Sequence, residues 1–351
     1  MNKTILIHIG PPKSGTSAVQ KALSNNRDLL LQHGVDYPEH EIGPNGISSG
    51  NLTSILDLDQ DGKWNVSRSK VSDLLERFKL SEAHTLLLSS EYFFYLTNEI
   101  AELIPNAKLI AYIRCPLETF ESSYNQSVKR HMRTTPVEFG KNLHLTTLNL
   151  LTEAVEKLGR KRFILRAYLS SRDYDLIEDF CSAVNLPSLK SSKSNTNSSY
   201  TFDALEFKRW LNQFNLEEID GAIDQALQAY DGGDKQFSLL PESLFNRYQK
   251  QSLDNTRDFV HQYKVVNGKA LISFLKNRQS KPYHEQNISR CNVKEICQYF
   301  IEHHPQVFDD ICERLKHHSS SDIQHVEIIT LLLEQQKLKS SFLRRLVSLF
   351  G

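Results

Sequence analysis

The sequence predicts an α/β fold: a parallel sheet flanked by helices, continued by a mainly helical C-terminal part. Three observations carry that prediction. Residues 4–9, 85–88 and 108–113 are short apolar runs, the pattern of strands buried on both faces. Stretches with apolar residues at helical spacing lie between them, as crossovers between parallel strands require. Beyond about residue 187 the strand signal ends and helical patterns dominate. The chain is thus expected to divide into an α/β core, residues 1–200, and a helical part, residues 201–351, packed on that core.

In chain order, the first run closes at Gly10-Pro11-Pro12. A helix pattern begins at about Thr16, with Val19, Ala22 and Leu23 on one face. A second helical piece, residues 26–33, stops at Gly34, a residue type suited to the left-handed position after a helix. Residues 43–50 read as loop and 71–78 as helix. The next two strands are separated by a helix-like stretch ending near Pro105. Helices are expected over 117–129 and 148–158, and a further strand over 162–167. Residues 188–199 are rich in Ser, Lys and Asn and read as a loop; 203–214, 216–230 and 241–263 read as helices. Residues 342–350 form an apolar stretch around Arg344 and Arg345. It reads as a packed terminal helix, with a partner- or membrane-surface helix as the other reading. There is no internal repeat.

Composition bounds the function. The chain has 351 residues, 39% hydrophobic and 24% charged, enough to bury a sizeable core. Its 42 Lys and Arg balance 42 Asp and Glu. A general nucleic-acid or anionic-membrane binder needs a basic excess, so any anion site must be local. The N-terminus lacks a secretory apolar region, and no run approaches the ~18 apolar residues of a membrane span. The five cysteines are scattered, without a CxxC pair, and read as reduced thiols of a cytoplasmic protein. No His/Cys cluster has metal-ligand spacing.

The strongest motif is Gly10-Pro11-Pro12-Lys13-Ser14-Gly15-Thr16-Ser17, between a strand and a helix. Backbone N–H groups at a helix N-terminus point at an anion, and the helix dipole adds to the attraction. Gly15 lets the backbone approach closely. Thr16 and Ser17 offer hydroxyls, and Lys13 a mobile charge. The order is not that of the Walker loop, where Lys directly follows the second glycine; here Lys13 precedes Gly15. A second motif follows the strand at 108–113: Arg114-Cys115-Pro116, with Ser122 eight residues after the arginine. Arg gives forked donors to a phosphate, and Ser122 could add a hydroxyl from two helical turns further on.

Together these motifs resemble the PAPS-dependent sulfotransferases, enzymes that use 3′-phosphoadenosine-5′-phosphosulfate (PAPS) on a P-loop-type nucleotide-binding fold. The first is similar to their P-K-S/T-G-T-T/S phosphosulfate loop, the second to their R-x-P…S motif for the 3′-phosphate. The resemblance, bacterial in character, covers roughly residues 4–215. It includes Gly34-Val35-Asp36-Tyr37-Pro38 and Asn197-Ser198-Ser199 before a helix. It implies transfer of a sulfuryl group from PAPS to a hydroxyl or amine of an acceptor, a glycan or small molecule, with PAP released and no metal required. It implies donor binding by Pro12, Lys13, Ser14, Gly15, Thr16, Ser17, Arg114 and Ser122.

The transfer needs a cation near the leaving oxygen, a role that falls to Lys13, and a general base. Relatives place a base at the end of the strand preceding the arginine motif, where Glu91 stands; other branches place it after the first helices, where Glu39, His40 and Glu41 lie. His8 sits among apolar neighbours and reads as a core histidine. The cluster Lys129-Arg130-His131-Met132-Arg133 reads either as solvated surface or as a contact for phosphates or an acidic acceptor. Lys190 and Lys193 could reach the donor from their polar loop. Two other functions stay open: a nucleotide or small-molecule kinase, which would need a Walker lysine and a Mg²⁺-binding Asp at a strand end, and a nucleotide binder without turnover.

Overall fold

The computed structural model describes residues 3–40, 48–171, 173–190, 199–316 and 324–350, with side chains up to residue 339. Glu41, Lys193, Asn197 and Ser198 lie outside the described residues, as do the side chains of 342–350. The backbone there belongs to one long helix.

Five strands form a fully parallel sheet: β1 (Thr4–His8), β2 (Val35–Asp36), β5 (Thr85–Ser89), β6 (Lys108–Ile113) and β7 (Phe163–Ala167), in the order β2-β5-β1-β6-β7. The runs expected to be strands are strands. The continuous apolar pattern follows from burial on both faces. Leu6, Leu87, Ile110 and Tyr112 pack with α1 (Thr16–Asn25), α2 (Arg27–Gln32) and α7 (Leu176–Val184) on one face. Ile7, Leu86, Leu88, Leu109 and Ala111 alternate with them, so they point to the opposite face, and they are fully buried too. The sheet lies in a compact unit built from residues 1–120, 140–193 and 247–278. That unit also holds the hairpin β3 (Leu56–Leu58) and β4 (Trp64–Val66), with helices α3 (Arg68–Leu80), α4 (Thr97–Leu103) and α6 (Thr146–Leu158).

The second compact unit comprises residues 121–139, 194–246 and 279–351. It contains α8 (Phe202–Leu211), α9 (Asp220–Ala229), α12 (Val293–His303), α13 (Pro305–Leu315) and α14 (Glu327–Phe350). Phe207, Trp210, Phe300, Phe308 and Leu332 centre its core. Helix α5 (Pro116–Arg130) starts in the first unit and ends in the second, and α10 (Glu242–Tyr263) runs the other way. The division therefore does not fall at residue 200. Residues 247–278 join the sheet unit because the segment before α11 (Gly268–Asn277) bonds to β7: Val266 N–H donates to Leu165 O and Ala167 N–H to Val266 O. Among the described residues no helix is long and apolar enough to cross a membrane.

Candidate functional site

The strand order creates the site. The chain leaves β1 toward β2 on one side and leaves β6 toward β7 on the other. At such a reversal the two connections diverge and leave a crevice beyond the carboxyl ends of the strands. Loop 9–15 follows β1, Glu91 follows β5, Arg114 follows β6 and Tyr168 follows β7. All four lie at that end of the sheet, in the first unit.

The loop is tightly specified. Ile9 N–H donates to Ile110 O of β6 and Ser90 N–H to His8 O, so the departure from β1 is bonded on both sides. Gly10, Lys13 and Gly15 have φ of 51°, 63° and 84°. A Cβ at Gly15 would stand 2.3 Å from the Leu176 side chain and 3.0 Å from the Tyr168 ring. For Lys13, which has a Cβ, the left-handed conformation costs about 1 kcal/mol, retained here at the centre of the loop. Helix α1 opens at Thr16 without a side-chain cap, leaving its first N–H groups for another acceptor. Thr16 Oγ1 is buried without a hydrogen-bond partner. Ser14 Oγ instead closes the turn onto Pro11 O, so Ser14 serves the loop's shape. Pro12 and Lys13 are half-buried, and Ser17 is exposed.

Arg114 fastens the loop. Its Nη1 donates to Lys13 O at 2.8 Å, its Nε donates to Glu118 Oε2 at 3.1 Å, and its guanidinium lies 5.1 Å from the centre of the Tyr168 ring. These bonds engage two of the five N–H donors of the fork. Glu118 also accepts from Ser170 Oγ at 2.8 Å and from Arg278 Nη1 at 2.5 Å. Burial pushes its carboxyl up, but Arg114 and Arg278 outweigh that and hold it below the usual range. Sequence reasoning missed this support. Glu118 was legible as a carboxylate four residues beyond Arg114 on a helix; Arg278, 160 residues from Glu118, carried no local signal. Ser122 lies half-buried further along α5, in the part belonging to the second unit.

Glu91 stands two residues beyond β5. Burial raises its carboxyl above the ordinary range, and the Lys13 charge acts against that shift, so the two groups lie close enough to feel each other. The other candidate bases are placed differently. Glu39 is exposed and paired with Arg27 at 3.4 Å. His40 packs edge-on against Tyr37, and burial lowers its pKa. His8 is a core residue: Nδ1 meets Ser89 Oγ at 2.9 Å, Phe180 and Tyr112 enclose the ring, and burial pushes its pKa down to about 3.

The basic cluster lies in the second unit and serves its fold there. Lys129 Nζ sits 4.0 Å above the Tyr200 ring. Arg133 donates to Thr135 O and Pro136 O, and its carbonyl accepts from Asn212 Nδ2. Lys190 is exposed, with its carbonyl bonded to Asn26 Nδ2.

Compared with known proteins, the chain matches no family model, no curated protein and no solved structure.

Proposed function

We propose that this chain is a sulfotransferase that moves a sulfuryl group from PAPS to a hydroxyl of an acceptor, on a nucleotide-binding fold of P-loop type. The observation that carries the reading is the convergence of three features at neighbouring strand ends: an uncapped α1 N-terminus with the buried, unpartnered Thr16 hydroxyl, Arg114 bonded to the loop beneath it, and Glu91 within the field of Lys13. These residues fit an anionic nucleotide. The N–H groups of residues 15–17 and the Thr16 hydroxyl offer donors to its phosphosulfate end. The remaining donors of Arg114 offer a fork to a phosphate.

The chemistry assigns distinct tasks. Glu91 accepts the acceptor's proton as its oxygen bonds to sulfur; the bond from sulfur to the bridging phosphate oxygen breaks, and PAP departs with that electron pair. Lys13 stabilises the charge that grows on the bridging oxygen. A carboxylate raised by burial is a stronger base than a solvated one, and the nearby lysine favours its ionised form against that burial. The kinase alternative would need a lysine directly after Gly15, and Thr16 occupies that position. A cytoplasmic site of action belongs to the same reading, since all five cysteines are free thiols.

Calorimetry with PAP, in the absence of Mg²⁺, tests the donor site. Micromolar binding, about −8 kcal/mol, lost in Lys13→Ala/Arg114→Ala, is the expected result. Binding of ATP–Mg²⁺ but not PAP by folded wild type would move the assignment to a kinase.

A further inference from the structure

Next to Glu91, on the side away from the loop, lies an exposed aromatic surface with no part in the donor site. Along the strand ends the order is β5, β1, β6, β7, so Glu91 stands between the loop of β1 and whatever covers the β5 side. The segment carrying the hairpin β3–β4 is pinned there. Asn51, fully buried, takes Ser89 N–H on Oδ1 at 2.8 Å and donates its own N–H to Ser89 O at 3.2 Å. Ser90 Oγ donates to Ser49 O at 2.7 Å. From that anchor the hairpin presents Leu58 and Trp64, directly paired across the two strands and therefore on one face. The Trp64 ring meets Tyr92 edge-on, 6.1 Å between centres. Leu58, Tyr92 and Tyr95 are 55%, 44% and 61% exposed. Tyr95 follows on the same turn, its N–H donating to Tyr92 O, and desolvation and then the Glu91 charge raise its phenol.

We infer that Leu58, Trp64, Tyr92 and Tyr95 form the acceptor subsite and that the acceptor is a saccharide. The inference rests on the sulfuryl-transfer reading, which makes Glu91 the base that an acceptor hydroxyl must reach. The shelf is open. A phenol or a lipid gains affinity by having most of its surface enclosed, whereas exposed rings cover only one side of a ligand. A sugar ring matches that geometry: its C–H face packs on an aromatic side chain and its hydroxyls remain in water. Asp57 and Asn65, paired with each other, and Asp59, bonded to Asn65, lie on the hairpin's other face, so the polar groups that the shelf itself offers are the Tyr92 and Tyr95 hydroxyls. A chain of sugar units can span several rings at once and bring one hydroxyl to Glu91.

Trp64 reports on this directly. The only other tryptophan, Trp210, is buried in the core of the second unit. Cellotetraose and chitotetraose, titrated into the full-length protein, are expected to give a saturable change in the emission of Trp64, which is half-buried. Tyr92→Ala should weaken that binding about fivefold, while PAP affinity measured on the same samples stays within about twofold. Cyclohexanol, an alcohol of the same ring size without polar rim groups, should give no change. A flat response to both saccharides by a protein that binds PAP overturns the saccharide assignment, and so does a response to cyclohexanol alone. Saccharide binding without PAP binding would instead leave the shelf standing and remove the donor reading.

Discussion

At the scale of single residues the site depends on a balance at Glu91. Burial raises its carboxyl, and Lys13 lowers it by a smaller amount. A general base works ionised, so kcat/KM is expected to rise with pH through a value above the ordinary glutamate range, about 4.3. Lys13→Ala removes the opposing charge, and the acid limb of its residual activity should move to higher pH; an unmoved limb would exclude Glu91 as the titrating group. Glu91→Gln should lower turnover by about 10²–10⁴ with PAP affinity nearly unchanged. The same balance fixes a stability effect of definite sign. A carboxyl raised in the folded state contributes stability at low pH and loses it as pH rises through the folded pKa. Glu91→Gln should therefore melt above wild type near pH 7, and the gap should close near about pH 4, as read by thermal denaturation at both pH values. Arg114→Lys should fail to restore what Arg114→Ala loses in PAP affinity, because one ammonium cannot bond the Lys13 carbonyl and Glu118 and still offer a fork to phosphate.

At the scale of elements, the hairpin excursion hangs on two residues. Gly50 has φ of 75°, and a Cβ there would stand 1.8 Å from the Ser89 carbonyl oxygen, a backbone atom fixed in the sheet. Gly50→Ala thus combines left-handed strain with a clash that no side-chain rotation relieves, and should destabilise the protein by several kcal/mol, on the order of the largest single-site effects. Asn51→Ala leaves the buried Ser89 N–H without its acceptor and should cost about 1–3 kcal/mol. Urea denaturation followed by circular dichroism measures both. These elements also mark where the sequence is readable. Strands β1, β5 and β6 announce themselves because burial on both faces demands unbroken apolar runs. Strand β2 is only Val35 and Asp36, too short for any period, and exists because β5 offers it an edge. Strands β3 and β4, Leu-Asp-Leu and Trp-Asn-Val, owe their turn to Asp59, whose Oδ1 accepts from the N–H of Asp61 and Lys63 and whose Oδ2 accepts from Asn65. The loop motif and Arg114 were legible because their signal is local, a few contiguous residues where a strand ends and a helix begins. Trp64 and Tyr92 were not, since 28 residues separate rings that the fold brings edge to edge.

At the scale of the molecule, the chain returns to its sheet unit long after the sheet is complete. Asp179 of α7 shows what the return supplies. Its carboxylate takes two parallel bonds from Arg166 of β7, both 2.6 Å, and one from the Tyr112 hydroxyl of β6 at 2.8 Å. It also takes a bond from Asn267 Nδ2 at 3.2 Å, and Asn267 belongs to the returning segment. Beside it Val266 extends the backbone bonding of β7, while Leu271 and Leu275 of α11 are fully buried. A fragment of residues 1–200, the boundary the sequence suggests, would leave β7 as an open edge with apolar surface uncovered and a charged network missing a partner. It should be aggregation-prone and show no PAP binding. The full chain with Asp179→Asn should remain folded and measurably less stable, because Arg166 loses its forked carboxylate partner. Hydrogen exchange locates the effect: the Ala167 and Val266 amides should lose protection first, while those of β1 and β5 keep theirs. Uniform loss across the sheet would mean that the returning segment does not act through β7, and a folded, PAP-binding fragment would restore the boundary at residue 200.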